Sequence, residues 1–127
     1  HYGPKVCLAN GYSGSGGDAF PYFFRKSGLG KLIGTRTWGG LIGLSGTPPL
    51  MDNGAVMIAD FSFYNTDGEW DVEGKGVSPD IEVDDRPDLV VAGRDPCLEK
   101  AIEVLLDELK AARQPKLPVK PPKNPVR

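Results

Sequence analysis

Two serines in a glycine-rich run are the residues of this sequence best suited to chemistry. The run GYSGSGGDAF extends from Gly11 to Phe20 and directly follows a short apolar stretch. A serine at a turn between a strand and a helix faces the positive end of the helix and free backbone N–H groups, which stabilise an alkoxide and then an oxyanion. Glycine after such a serine lets a substrate carbonyl approach closely. Taken alone, however, the run favours a purely conformational turn over a nucleophile.

Other glycine-rich sites fit this run less well. A phosphate-binding Walker loop needs lysine where Gly17 stands. The GxSxG nucleophile elbow fits neither Ser13 nor Ser15, because each has the other serine where glycine is required. Residues 14–19 do satisfy the dinucleotide pattern GxGxxA, and Arg36 near the end of the next predicted strand suits a phosphate group. A dinucleotide-binding domain therefore stays an alternative, although the hairpin signals further along the chain are atypical of that fold.

The elements that position this run predict a mixed α/β fold. Residues 5–9 predict a short buried strand and residues 31–36 a second strand, with a helix between them over residues 18–27. This order places the two serines between the first strand and the helix. The β-α-β start, the hairpins that follow and a last helix together indicate an α/β class without internal repeats.

The second half of the chain predicts hairpins and then one long helix. Turn signals at residues 53–54 (Asn-Gly) and 67–68 (Asp-Gly) enclose the strand-like segment AVMIADFSFY, and residues 80–84 predict a further strand. Asp95 is a suitable N-cap for the last helix, with proline at the first helical position and apolar residues at helical spacing after it. That periodicity predicts a helix packed against the rest of the fold.

Composition indicates one globular domain and a solvated tail. The chain has 127 residues, of which 39% are hydrophobic, and a formal net charge of −2. Residues 114–127 form a Pro/Lys-rich segment with no acidic residue, so we expect a disordered tail there and a folded portion over residues 1–113. The folded portion therefore has a more negative net charge than the whole chain, which argues against nucleic acid as a partner.

Cofactors, metals and membranes are not expected from the sequence. Neither Cys7 nor Cys97 has metal-ligand or CxxC spacing, so both are interpreted as reduced packing cysteines. No apolar run approaches the roughly 20 residues of a membrane span, and no signal segment opens the chain. The start, His1 to Pro4, leads at once into a strand, which suggests a piece of a longer protein.

Two longer segments resemble the catalytic core of the tricorn-type peptidases and, more distantly, the C-terminal processing (tail-specific) serine peptidases. They are LGKLIGTRTWGG, which follows the serine run, and GKGVSPDIEV further along. Their order and length make them far more specific than any glycine pattern. The resemblance covers nearly the whole chain apart from the tail.

This resemblance implies a crotonase/ClpP-like α/β core and peptide hydrolysis. It implies Ser15 as the nucleophile, the backbone N–H of Gly16 as one oxyanion donor, and Glu73 as support for the histidine side of a Ser-His-Ser-Glu tetrad. Four residues then either line the substrate groove or only hold a loop: Arg36, Trp38, Gly39 and Gly40. By analogy with the family, we expect a cytoplasmic homo-oligomer that acts on peptides or proteins.

The sequence departs from the family pattern at the general base. Tail-specific relatives use lysine where Gly40 stands, so a Ser-Lys mechanism is not expected. The only histidine is His1, at the end of the chain, whereas the family's histidine lies in an earlier lobe. We therefore expect the C-terminal part of a split active site, inactive alone and completed by a missing N-terminal lobe. The alternative from another class is a noncatalytic peptidase-fold module that assembles or binds peptides.

Overall fold

A small parallel sheet with packed helices organises the chain. The structure, a computed structural model, describes residues 2–44, 46 and 48–111, so His1 and the predicted tail lie outside the described residues. Within that part, strands and helices follow in this order: β1 (Val6–Ala9), α1 (Gly16–Lys26), β2 (Lys31–Gly34), β3 (Gly43–Leu44), β4 (Ala59–Phe61), β5 (Ile81–Glu82), α2 (Pro87–Val91) and α3 (Pro96–Ala111).

The sheet has the strand order β1-β2-β5, and all three strands are parallel. In the central strand β2, the consecutive residues Leu32 and Ile33 are 1% and 0% exposed. Because consecutive strand residues point to opposite faces, both faces of β2 are covered. Helices α1 and α3 both pack against β1 and β2. The predicted α/β class is confirmed by this arrangement.

Helix α1 contributes to the core on one side of the site. Phe24 of this helix packs in one cluster with Cys7 of β1, Leu32 of β2, and the loop residues Leu41 and Val72. The helix begins two residues earlier than the sequence predicts, directly after Ser15, so its proline lies inside the helix and not near its start. The core therefore joins the helix that follows the serine run to the loops that face it.

The last helix follows the prediction closely. Asp95 caps α3, since its Oδ1 accepts a hydrogen bond from the backbone N–H of Leu98 at 2.8 Å. Cys97 and Ala101 are the buried residues of this helix, one turn apart. Among the described residues, no helix combines the length and the apolar character needed to cross a membrane.

An antiparallel arm lies within residues 43–70, where the sequence predicts one long strand. Both predicted turns are present: Leu50 N–H bonds the Gly54 carbonyl at 2.9 Å, and Asn65 N–H bonds the Glu69 carbonyl at 2.8 Å. Between them, however, only Ala59–Phe61 forms a strand, paired with β3. Every residue of this strand is exposed, so the arm has no second layer to extend its pairing.

Candidate active site

Ser15 occupies the last position before α1 and has an unusual backbone conformation. It is the N-cap, with φ 52° and ψ −110°, in a region that residues other than glycine rarely adopt. Its side chain makes no capping hydrogen bond, and its hydroxyl bonds no other described residue. The residue is exposed. A strained and exposed serine with a free hydroxyl is thus presented at the start of the helix.

Ser13 is engaged in the turn itself. Its Oγ accepts a hydrogen bond from the backbone N–H of Asn10 at 3.1 Å, and its own N–H bonds the Asn10 carbonyl at 2.9 Å. Asn10 Oδ1 also accepts the N–H of Tyr12 at 3.0 Å. The two serines of the run therefore differ in their surroundings, because Ser13 closes the turn and Ser15 does not.

The first turn of α1 leaves one N–H group free within the described part of the chain. The next three N–H groups donate hydrogen bonds to carbonyls of the serine turn. The N–H of Gly17 bonds the Gly14 carbonyl, and those of Asp18 and Ala19 both bond the Ser15 carbonyl. The Gly16 N–H has no such partner. It adjoins the Ser15 hydroxyl at the positive end of the helix, where an anionic oxygen is stabilised.

A loop over residues 38–42 lies directly against the serine turn. The N–H of Trp38 bonds the Ser13 carbonyl and the N–H of Ser15 bonds the Gly40 carbonyl, both at 3.0 Å. The Trp38 ring packs so closely on the turn that a Cβ at Gly14 would lie 2.6 Å from its Cε3 atom. Turn and loop are thus held as one surface, with 65% of Trp38 exposed.

Two carboxylates hold the backbone of this loop. Asp18 accepts the N–H of Gly39 through Oδ1 at 2.7 Å and that of Gly40 through Oδ2 at 3.1 Å. Glu73 accepts the N–H groups of Leu41 at 2.6 Å and Ile42 at 2.7 Å, both through Oε2. Four consecutive N–H groups therefore end on carboxylate oxygens. None of them is free to bind a substrate oxyanion.

An open groove of about 730 Å³ brings the predicted nucleophile and the predicted glutamate together. Ser15 and Glu73, far apart in sequence, both line it, and Met57 and Phe61 of the arm form part of an apolar wall. The rest of the lining comes mostly from the loop and β3: Trp38, Gly39, Gly40, Ile42, Gly43, Leu44 and Gly74. The groove thus places a free serine hydroxyl and a carboxylate in the lining of one pocket.

Residue Arg36 does not line the groove, although the sequence left that role open. Its Nη1 donates to the carbonyls of Lys75 at 2.6 Å and Thr37 at 3.2 Å. Arg36 therefore links the segment that follows β2 to the segment that carries Glu73. Thr37 supports the same junction, because its buried Oγ1 accepts the N–H of Val77 at 2.7 Å.

Neither cysteine is suited to be the nucleophile. Cys7 and Cys97 are both buried, and neither forms a disulfide. Burial raises the pKa of the Cys7 thiol. Burial, followed by a hydrogen bond with Asp85, raises the pKa of Cys97 to about 12. Both thiols are therefore protonated at neutral pH and unreactive.

The chain belongs to peptidase family S41, whose sequence profile matches residues 1–83. It is similar to the tricorn protease of Thermoplasma acidophilum, with 42% identity over 108 residues that cover 85% of this chain and 10% of that protein. Its fold matches a crystal structure of tricorn protease with a TM-score of 0.80 at 42% identity, covering 85% of this chain and 11% of that one. The photosystem II D1 C-terminal processing protease matches with a TM-score of 0.55 at 25% identity, over 80% of this chain and 24% of that one.

These matches confirm the family and the core fold expected from the sequence. The chain spans only about a tenth of the length of the tricorn protease that it resembles. The catalytic role of Ser15, Gly16 and Glu73 stays a prediction, and His1 lies outside the described residues. Sequence reasoning did not identify Asp18 as part of the site. An acidic residue in the first turn of the helix, just after the serines, was the available signal.

Proposed function

We propose that this chain supplies the nucleophile of a serine-type peptidase that hydrolyses peptide bonds. The observation that carries the proposal is the free Ser15 hydroxyl, held in a left-handed conformation at the start of α1 and open to the groove. Family membership supports peptide hydrolysis and favours it over the dinucleotide alternative. Ser13 is a poor candidate because its Oγ already accepts the Asn10 N–H.

The proposed chemistry is acyl transfer. The Ser15 Oγ attacks the substrate carbonyl carbon while a general base takes its proton, and the tetrahedral oxyanion accepts the Gly16 N–H. The C–N bond then breaks, and the base returns the proton to the leaving amine. Water repeats the sequence on the acyl-enzyme and restores the serine. Only Oε1 of Glu73 is available to support the histidine side, since Oε2 holds the loop.

The general base and the second oxyanion donor come from another part of the enzyme in this proposal. A serine hydroxyl is a poor nucleophile until a positioned base removes its proton. Glycine stands at position 40, where tail-specific relatives have lysine, and the N–H groups of residues 39–42 are already bonded. Residues 1–113 then form the C-terminal portion of a catalytic domain, and a preceding lobe completes the site.

The assignment of Ser15 is tested with a fluorophosphonate probe on the full-length enzyme. We expect the probe to label Ser15 and Ser15→Ala to lower kcat on the order of 10⁶-fold, the scale seen when a serine nucleophile is removed. The matched control is Ser13→Ala, which removes a hydroxyl two residues away and is expected to retain most activity. Labelling of Ser13, or of neither serine in an active preparation, would show that the assignment is wrong.

The split site is tested with the purified 127-residue chain. Alone it is expected to hydrolyse no peptide, and addition of the preceding lobe in trans is expected to restore hydrolysis. Mutation of the histidine in that lobe is expected to abolish the restored hydrolysis. Turnover by the chain alone, lost on Ser15→Ala, would contradict the split site and make His1 the first residue to test as the base.

A further inference from the structure

Asp18 is a completely buried carboxylate whose two oxygens are both used. It is 0% exposed, and it bonds the N–H of Gly39 through Oδ1 and that of Gly40 through Oδ2. A buried carboxylate is costly unless its oxygens are hydrogen-bonded, and such charge-assisted bonds are stronger than neutral ones. Its place in the first turn of α1 adds the favourable field of the helix N-terminus. The carboxylate is therefore suited to holding the loop in one position.

The bonds of Asp18 close a ring that contains the serine turn. Asp18 lies one turn after Ser15 in α1, and it binds the N–H of Gly40. The carbonyl of Gly40 in turn accepts the N–H of Ser15. Gly40 is thus held on both of its peptide planes, by the helix through Asp18 and by the turn through Ser15. A shift of the loop would pull directly on the strained backbone of Ser15.

We infer that Asp18 is a positioning residue, which fixes the orientation of Ser15 by holding the loop against the serine turn. This inference rests on the proposed function for its catalytic meaning. Asp18 does not touch the groove, and it acts through Gly40. Glu73 binds the next two N–H groups of the same loop. Asp18 therefore fixes the part of the loop that contacts Ser15.

The variant Asp18→Asn tests the inference because it cannot keep both bonds. The amide has one acceptor oxygen, and its NH₂ group would face the N–H of Gly39 or Gly40. We expect amide hydrogen exchange in residues 38–40, and at the Ser15 N–H, to become at least about 10-fold faster, since these groups lose their partners or the constraint on them. The rate of fluorophosphonate labelling at Ser15 in the full-length enzyme is expected to fall at least about 10-fold as well.

Asp80→Asn is the matched control. Asp80 Oδ2 also accepts a backbone N–H, that of Leu32 at 2.7 Å, but it lies on the β5 side of the sheet and does not line the groove. The control is expected to lower stability without changing exchange at residues 38–40 or labelling at Ser15. It thereby separates a general loss of stability from a specific loss of loop position.

The outcomes decide the inference whether or not the peptidase proposal holds. The inference is overturned if the amide exchange rate of the Ser15 N–H is unchanged in Asp18→Asn. It is also overturned if exchange in residues 38–40 becomes faster but the rate of fluorophosphonate labelling at Ser15 does not fall. If the parent enzyme is not labelled at all, the proposed function fails, while exchange at Ser15 still decides whether Asp18 positions this residue. If Asp18→Asn does not fold, exchange in the unmodified protein decides: Gly39 and Gly40 amides should exchange as slowly as those of β2, and fast exchange overturns the inference.

Discussion

Replacing Glu73 by glutamine separates two contributions of this side chain. Both of its hydrogen bonds end on one oxygen, Oε2, which accepts the N–H groups of Leu41 and Ile42. The amide oxygen of glutamine can occupy the same place and accept both groups, so the loop stays held. What the variant removes is the negative charge. Glu73→Ala, in contrast, removes the charge and both acceptors.

The expected losses of stability follow from these bonds. A hydrogen bond to a charged group contributes about 1.5 to 3 kcal/mol and a neutral one about 0.5 to 1.5 kcal/mol. Glu73→Gln makes both bonds neutral, which costs about 1 to 1.5 kcal/mol each, and should therefore lower the free energy of unfolding by about 2 to 3 kcal/mol. Glu73→Ala leaves two N–H groups without a partner, at about 1 to 3 kcal/mol each. A total loss of about 2 to 6 kcal/mol is expected for that variant, and it should exceed the loss in Glu73→Gln because neither N–H group keeps an acceptor.

The assay combines urea unfolding of the chain with kinetics of the full-length enzyme. If the charge of Glu73 supports a histidine, Glu73→Gln lowers kcat at least about 10-fold, equivalent to about 1.4 kcal/mol in the barrier, while Ser15 still reacts with the fluorophosphonate. Glu69→Gln, which removes an exposed charge elsewhere, is the control. An unchanged kcat would restrict Glu73 to holding the loop. Equal destabilisation by glutamine and alanine would refute the bonding geometry itself.

Three further outcomes are expected. Ser15→Gly should raise the free energy of unfolding by about 1 kcal/mol relative to Ser15→Ala in urea unfolding, because only glycine relieves the strain of its left-handed conformation. Gly34→Ala should lower the free energy of unfolding by about 2 to 4 kcal/mol in the same assay, since Gly34 has φ 128° and a Cβ there would overlap the carbonyl oxygen of Ala9. Cys97, with its pKa raised to about 12, should react with iodoacetamide at pH 8 far more slowly than a free cysteine, because only about one thiol in 10⁴ is ionised. Comparable stability of the two Ser15 variants, an unaffected Gly34→Ala protein or rapid alkylation of folded Cys97 would contradict the respective arguments.

The sequence predicted the first and last parts of the fold well because their signals are local. A short apolar run, a glycine-rich turn and a capped amphipathic helix each depend on neighbouring residues, as the cap of α3 by Asp95 illustrates. The arm over residues 43–70 was predicted less well. Its composition is typical of a strand, which is why the sequence predicted one. A long strand, however, is stabilised by other elements that pack on its face, and every residue of Ala59–Phe61 is exposed.

The residues of the candidate site were named from the sequence, whereas the contacts that hold them were not. Ser15 and Glu73 were predicted as site residues from a resemblance of sequence motifs. Such a resemblance does not say which atoms these side chains contact. That Glu73 bonds the loop depends on how residues 39–42 fold back, and no periodicity encodes such a contact. Asp18 was read only as the start of a helix. Its buried bonds to Gly39 and Gly40 join segments that lie far apart in the chain.

The structure adds a physical argument against a lysine at position 40. Sequence reasoning excluded lysine only because glycine stands at position 40. In the fold, a Cβ at Gly40 would overlap the ring of Trp38, and the N–H and carbonyl of Gly40 are both bonded. A side chain there would displace the tryptophan from the groove and strain the bond to Ser15. The loop against the serine turn thus leaves no room for a side chain at position 40, which supports our proposal that the general base comes from another part of the enzyme.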